Sequence, residues 1–433
     1  MRKLWLATLA ALALAPAARA ADKITLTLFM YRDVTAPEAG TWDLVLEGFK
    51  KANPGIDIQA EYLFNDPYHD KLRAMAQADQ LPDVFFLWPD KKSGFVNGLE
   101  TGKSFAKDLR PFLKGHEAEF APAALAPQGR GGELFELPEQ VTATHVFYVN
   151  NALLKKLGLT MPRTLAELLA QGPKIRAAGL VPIAMANKDG WEMQSCLLSA
   201  LTERAGGIDW YNAAIAGKGA SFADPPFVNA LDVIKQLSDK EMFAPGINQM
   251  DYGVASQMFA AEKAVYYIDG GWKVNELQQT LTPEQKASIT LETFPEIPAQ
   301  KGKAGSTALV AGTGLAMNAK LTGARAEAAW KFISWYSGAG GSEIRMEYGA
   351  LPAYKVDVKK LSKPIDPLVQ KLQAFLNTHP YGWVIDSKMD GEGMKVLHPA
   401  IQEMMFGKKT PKQAAEEYEA WVKAHDTNRV KKT

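Results

Sequence analysis

The chain has a single cysteine, Cys196, among 433 residues, so no intrachain disulfide can brace it even in an oxidising compartment. Within the apolar stretch MQSCLLSAL that cysteine reads as a small buried hydrophobe rather than a catalytic thiol. The six histidines are scattered, and their spacing assembles neither a metal cluster nor a triad. A charge excess is missing too. Lys and Arg number 49 against 48 Asp and Glu, and loss of residues 1–20 with Arg2, Lys3 and Arg19 would leave 46 against 48, a formal charge of −2. Such a balance argues against nucleic acid or an anionic membrane as partner. Long apolar runs are lacking as well: LWLATLAALALA near the N-terminus falls short of the roughly 20 residues a membrane helix needs, and later segments are broken by charges.

What is present is ordinary for a globular protein: 47% hydrophobic and 22% charged residues, with length for roughly two or three domains. Residues 1–20 stand apart. Arg2 and Lys3 precede the apolar run, and Pro16 and Ala18-Arg19-Ala20 supply a small-x-small cleavage pattern, so a signal peptide cut after Ala20 is expected. No cysteine stands at that site to accept a lipid, which favours a free periplasmic protein.

Enzyme motifs fail one by one. GLETGKS, from Gly98 to Ser104, has Asn97 where a phosphate-binding loop needs its first glycine. HEAEF, starting at His116, has Phe120 in place of the second zinc-binding histidine. GTGLAM ends in Met317 where a dinucleotide fingerprint needs a small residue. A pair of carboxylates meeting from distant positions, as in a glycosidase, is not excluded by spacing. No metal or cofactor is expected.

Along the chain, β-like and helical periods alternate. ITLTLFMY has Ile24, Leu26 and Leu28 at period two; Trp42, Val45, Leu46 and Phe49 recur at helical spacing until NPG stops them. IDIQAEY, a helix near 68–78 and the apolar LPDVFFLW complete a β-α-β-α-β order, which predicts a mainly parallel sheet. The pattern then restarts. FELPEQ and THVFYVN nearly run together, and Thr164 with Glu167 forms a capping box for a helix from Leu165 that Gly172 and Pro173 are expected to kink or end. Strands VPIAM, AVYYID, ITLETFP and ALVAGTGLAMN follow, with helices at 191–204, 225–237 and in AEAAWKFISWYS.

The run from Tyr148 to Leu168, Y-x-N-x-x-L-x-x-x-x-G-L-x-x-P-x-T-x-x-E-L, resembles the bacterial extracellular solute-binding proteins of the maltose-binding-protein-like type that feed sugars to ABC importers. LPDVFFLW, FAAEKAVYYIDGGW, GTGLAMN with AAWKFISWYS, and AIQEMMFGKKTPKQA extend the resemblance over nearly the whole mature chain. It implies an α/β two-lobe periplasmic-binding-protein fold, each lobe a mainly parallel sheet flanked by helices, with the ligand cleft between. On that map lobe I comprises 21–141 and 310–370, and lobe II 142–309 and 371–433, with crossings near 141–143, 309–312 and 370.

Aromatics beside planar polar groups recur just past the predicted strand ends, where open α/β sheets bind ligands. They are Tyr31, Arg32 and Asp33; Trp88 and Asp90; Glu139 and Gln140 at the crossing; Asn187, Asp189 and Trp191; Asp269 and Trp272; and, from the far side, Trp383 and Asp386. A pyranose has C–H faces that pack on indole or phenol rings and a belt of hydroxyls matched by carboxylates, amides and guanidinium. Trp272 also falls at the stacking position that the resemblance implies. Each site has a plainer reading: a surface salt bridge for Arg32, its own turn for Asp189, a tight turn for Gly270 and Gly271. Trp42, Trp330 and Trp335, in helical periods, are assigned to the core or to partly buried surface and left out of the site.

The function expected is a monomeric periplasmic carbohydrate-binding protein that closes by hinge bending, hands a mono- or oligosaccharide to permease subunits, contacts no nucleic acid and does no chemistry on the sugar. The alternatives are a secreted glycan-active hydrolase, or a binder of another polar solute such as a glycerophosphodiester or polyamine.

Overall fold

The computed structural model describes residues 23–36, 39–125 and 132–430; the expected signal peptide, 1–20, lies outside them. Strands β1 (Ile24–Tyr31), β2 (Ile56–Leu63) and β3 (Val84–Leu87), with helices Ala39–Ala52 and Asp66–Gln77 between them, reproduce the expected β-α-β-α-β order. β1 lies between the other two, parallel to both, with Ile24 opposite Ile56 and Leu28 opposite Val84. Its Leu28, Phe29 and Met30 are all buried, as a central strand covered on both faces requires. Helix Ala39–Ala52 buries Thr41, Val45 and Phe49, four residues apart, and leaves Trp42 beside that stripe.

β4 (Leu137–Ala143) and β5 (Val146–Asn150) are separated by only Thr144 and His145. Across those two residues the chain leaves one sheet for another. β6 (Val181–Ala184), β7 (Ala264–Asp269) and β8 (Ile289–Glu292) join β5 in a four-stranded sheet of order β6-β7-β5-β8. β9 (Thr307–Met317) returns to the first sheet, and β10 (Tyr381–Gly382) pairs with its start. The first sheet has the order β10-β9-β3-β1-β2, with β4 also on β9.

The expectation of two mainly parallel sheets needs correction in the second. Only β6 and β7 run parallel there; β5 is antiparallel to both β7 and β8. A parallel neighbour needs a crossover of a dozen or more residues. β5 instead starts at the crossing, where Val146 faces Asp269 at the end of β7, and runs away from it.

Helix Leu165–Ala177 starts as expected: Thr164 accepts from the Glu167 N–H at 3.2 Å, while the Glu167 carboxylate takes the N–H of Arg163, at 2.7 Å. Pro173 does not end the helix, which runs on to Ala177 with Leu168 and Ile175 fully buried; that burial outweighs the bond the proline removes. The helical run from Trp191 to Gly206 contains a π-turn at Gln194–Leu198.

Each sheet has its own core. Phe29, Phe49, Phe85, Phe332 and Tyr336 pack around the first. Phe147, Leu168, Leu197, Phe227 and Tyr418 cover one face of the second, and Tyr148, Tyr267, Leu277 and Leu372 the other. Helix Pro367–Thr378 contributes Leu368, Val369, Leu372 and Phe375 to that last face. Among the described residues no helix is long and apolar enough to cross a membrane.

Candidate functional site

Between the two sheets, at the ends of β1, β3 and β7, lies a cavity of about 280 Å³ lined by side chains from both. Its backbone is a chain of rings that crosses the gap. Trp88 and Tyr31 meet at 4.8 Å between centroids, Tyr31 and Phe64 at 4.8 Å, and Phe64 reaches Tyr252 of the facing half at 5.9 Å. Tyr252 continues to Trp191 at 5.0 Å, and Trp191 to Trp272 at 6.1 Å. The Trp272 indole N–H donates to the Tyr252 hydroxyl at 2.6 Å, which fixes both ring planes.

Gly270 and Gly271 are needed here for closeness. Neither has a positive φ. A Cβ on Gly270 would run into the Trp272 ring, and one on Gly271 would meet Thr142 Oγ1 at 2.7 Å and Leu372 at 2.8 Å. Thus the tight double glycine lets the indole fold back over the backbone after β7.

Polar groups edge these rings. Arg32 is buried, 4.9 Å over the Tyr62 ring, and donates to Asp43 at 3.1 Å and to the Ala39 carbonyl. Its Nε and the Thr41 hydroxyl, both at the cavity wall, find no partner among the described residues. Asp33 accepts from the N–H and hydroxyl of Thr35. Glu139 accepts from Tyr336 at 2.7 Å with Arg345 at 4.0 Å; burial raises its pKa against that cation. Gln140 lines the same wall. Asp90 caps the turn at Lys91–Ser93 through the Lys92 N–H. Burial first, and then the charge of Asp386, push its carboxyl up to about 7. Lys92 Nζ stands 3.2 Å from Asp386; burial alone would lower its pKa, but Asp386, Asp90 and Asp66 together outweigh this and raise it.

Ten of the residues singled out in the sequence line this cavity: Tyr31, Arg32, Asp33, Trp88, Asp90, Glu139, Gln140, Trp191, Trp272 and Asp386. Four do not. Asn187 is 1% exposed, its amide donating to Asn248 at 2.7 Å. Asp269 is buried at the end of β7, accepting from Tyr267 and from the Gly270 N–H at 2.6 Å each; it holds the turn that carries Trp272. Asp189 accepts from Asn65 Nδ2 at 2.6 Å and faces a neighbouring cavity. Trp383 donates to Asn212 at 2.7 Å, with Lys388 4.0 Å over its ring, and packs on the second-sheet core. Position past a strand end, at the crossing or on the far side of the cleft selected the fourteen, but the direction of each side chain decided which face the gap.

Conversely, Trp42 lines the cavity, stacked on Tyr336 at 5.3 Å, and does not belong to the core alone. Lys92, Phe64, Tyr252 and the buried pair Lys273–Glu276, 2.6 Å apart, were also missed. Only Lys92 had a signal, two residues after Asp90 behind a strand end.

Ion pairs clamp the halves together outside the ring chain. Lys91 Nζ lies 2.6 Å from Asp390 and Arg73 3.8 Å from Glu392, and Lys395 lies 3.7 Å from Asp70. With Lys92–Asp386 and Asn65–Asp189 they define a closed arrangement. Among the described residues no group of three or more His, Cys, Asp or Glu is placed to hold a metal ion.

The model of the bacterial extracellular solute-binding protein family matches residues 33–343. A curated relative, the multiple sugar-binding protein of Streptococcus mutans, is 23% identical over 381 residues, 84% of this chain and 82% of its own. Among solved structures, one from work on xylan utilisation by the thermophilic bacterium Caldanaerobius polysaccharolyticus superposes with a TM-score of 0.81 at 22% identity, covering 92% of this chain and all of that one. A chitin oligosaccharide binding protein gives 0.79 at 21%, covering 93% and 99%. At these identities the structural likeness establishes the fold.

Proposed function

Because the chain belongs to the bacterial extracellular solute-binding protein family, we propose that it captures a mono- or oligosaccharide between two lobes and delivers it to the permease of an ABC importer. The observation that carries this is the chain of rings from Trp88 to Trp272, which crosses the gap and is edged by Arg32, Asp90, Glu139 and Lys92. Such a surface offers stacking faces to the C–H faces of a pyranose and charge-assisted hydrogen bonds to its hydroxyls. Relatives named for sugar binding support the same reading.

Lobe I in this proposal is residues 23–143 with 307–354, and lobe II is 146–297 with 365–430. Packing of Leu368 and Val369 in the second-sheet core supports a last crossing before Leu368. A ligand touching both lobes favours the closed form by its differential affinity, and the closed surface is what the permease would read. The protein works as a periplasmic monomer, contacts no nucleic acid and leaves its ligand chemically unchanged: Asp90 and Asp386 are engaged with Lys92, as a turn cap and as an ion pair.

The test is a thermal-shift screen of mature protein against mono- and oligosaccharides, with spermidine and glycerophosphocholine alongside. A sugar at about 100-fold over its Kd adds roughly 2.7 kcal/mol to the folded state and raises Tm. Stabilisation by spermidine or glycerophosphocholine alone would overturn the carbohydrate reading, and consumption of the sugar during incubation would overturn the absence of chemistry.

A further inference from the structure

A second cavity, of about 390 Å³, adjoins the cleft. Tyr31, Lys92, Trp191 and Asp386 line both, so what separates the two is a wall of side chains. The wall has few atoms to move. Lys92 Nζ sits 5.4 Å from the Trp88 ring and 6.0 Å from the Trp191 ring, and Tyr31 donates to Asn65 at 3.1 Å. A lysine head on a four-carbon stem swings aside more readily than backbone.

The chemistry of the second cavity favours hydroxyls over anions. Its lining includes six carboxylates against four cations. Three buried polar atoms on residues of its wall, His69 Nε2, His398 Nε2 and the Trp191 indole N–H, lie just behind its surface with no partner among the described residues. Burial holds both imidazoles neutral: His398 falls to about 4, and His69 lies well below the usual range, with Lys92 adding to the effect. A neutral imidazole can donate to or accept from a hydroxyl, and an unpaired buried polar atom gains most from such a partner. The Trp191 and Phe95 rings supply apolar faces. By volume the cleft alone is at the lower edge of the roughly 300–1,000 Å³ usual for ligand sites, whereas the two cavities joined fall within it.

We propose that the two cavities form one path for a linear oligosaccharide, the cleft holding its first rings and the second cavity the rings beyond Lys92, with His69, His398 and the Trp191 N–H as hydrogen-bonding partners there. This rests on the carbohydrate reading of the cleft. It assigns chain length as the property selected: short sugars fill the cleft, and longer ones gain additional contacts past the wall.

The experiment is calorimetric titration of mature wild type, His398→Leu and His69→Leu with malto-, xylo- and chito-oligosaccharides from the monosaccharide to the pentasaccharide. In the series that binds, wild-type affinity should rise at least about tenfold from disaccharide to tetrasaccharide, and each variant should lose that gain while keeping disaccharide affinity. A wild-type affinity that stays flat beyond the disaccharide would overturn the proposal with the carbohydrate reading intact. So would variants that weaken short and long sugars alike, or a stoichiometry of two short sugars per chain. No heat with any length would show that the reading of the cleft itself had failed.

Discussion

Asp90 lines the cavity just past β3, where it caps a short turn and faces Asp386 across Lys92. Burial raises its folded pKa from 3.8 to about 7. An acid whose folded pKa lies above its unfolded one binds its proton more tightly when folded. Its ionised form therefore costs stability fully above about pH 7, and that cost is relieved as the pH falls from 7 toward 4. Asp386, Lys92 and Lys388 act on the same carboxyl. Asp90→Asn should accordingly raise Tm at pH 8 by more than at pH 5, as melting curves of both proteins would show; a difference independent of pH would contradict the burial argument. Trp42, which helical spacing placed in the core or partly buried at the surface, is partly buried, and it lines the cavity while stacking on Tyr336.

Among elements, the β-α-β-α-β opening was legible because period-two and period-3.6 patterns are local, and Thr164 with Glu167 marked a helix start from chemistry within four residues. The direction of β5 was not legible, since strand direction follows from the two-residue crossing and from partners more than a hundred residues away. Nor was the π-turn at Gln194–Leu198. It turns the Ser195 and Cys196 carbonyls toward the crossing, where Thr144 Oγ1 donates to the first at 3.2 Å and His145 Nδ1–H to the second. The Phe294 N–H donates to His145 Nε2 at 2.9 Å, so the ring carries its proton on Nδ1. Burial, and then Arg204, lower its pKa to about 3 and keep it neutral. The helix that begins at Trp191 is thereby tied to the crossing between the sheets. Replacing His145 by Phe removes the partner of the buried Phe294 N–H and a bond to the Cys196 carbonyl, a loss of about 1–3 kcal/mol. Urea unfolding should register it; an unchanged midpoint would mean the crossing is held by other bonds.

At the scale of the whole molecule, two cores are joined by short crossings and drawn together by pairs such as Lys91–Asp390, where Thr427 also holds both partners. Motif order along the chain foretold two lobes and a cleft; the ion pairs across it come from residues some 300 positions apart and left no mark in sequence. In the proposed function a sugar binds against the rings lining that cleft. A tryptophan-fluorescence titration of wild type and Trp272→Ala with the sugar that raises Tm tests it most directly, since Trp88, Trp191 and Trp272 all face the cavity. A saturable emission change is expected in the wild type, with binding weakened at least about tenfold, roughly 1.4 kcal/mol, in the variant. Equal affinities, or wild-type emission that no sugar alters, would contradict it.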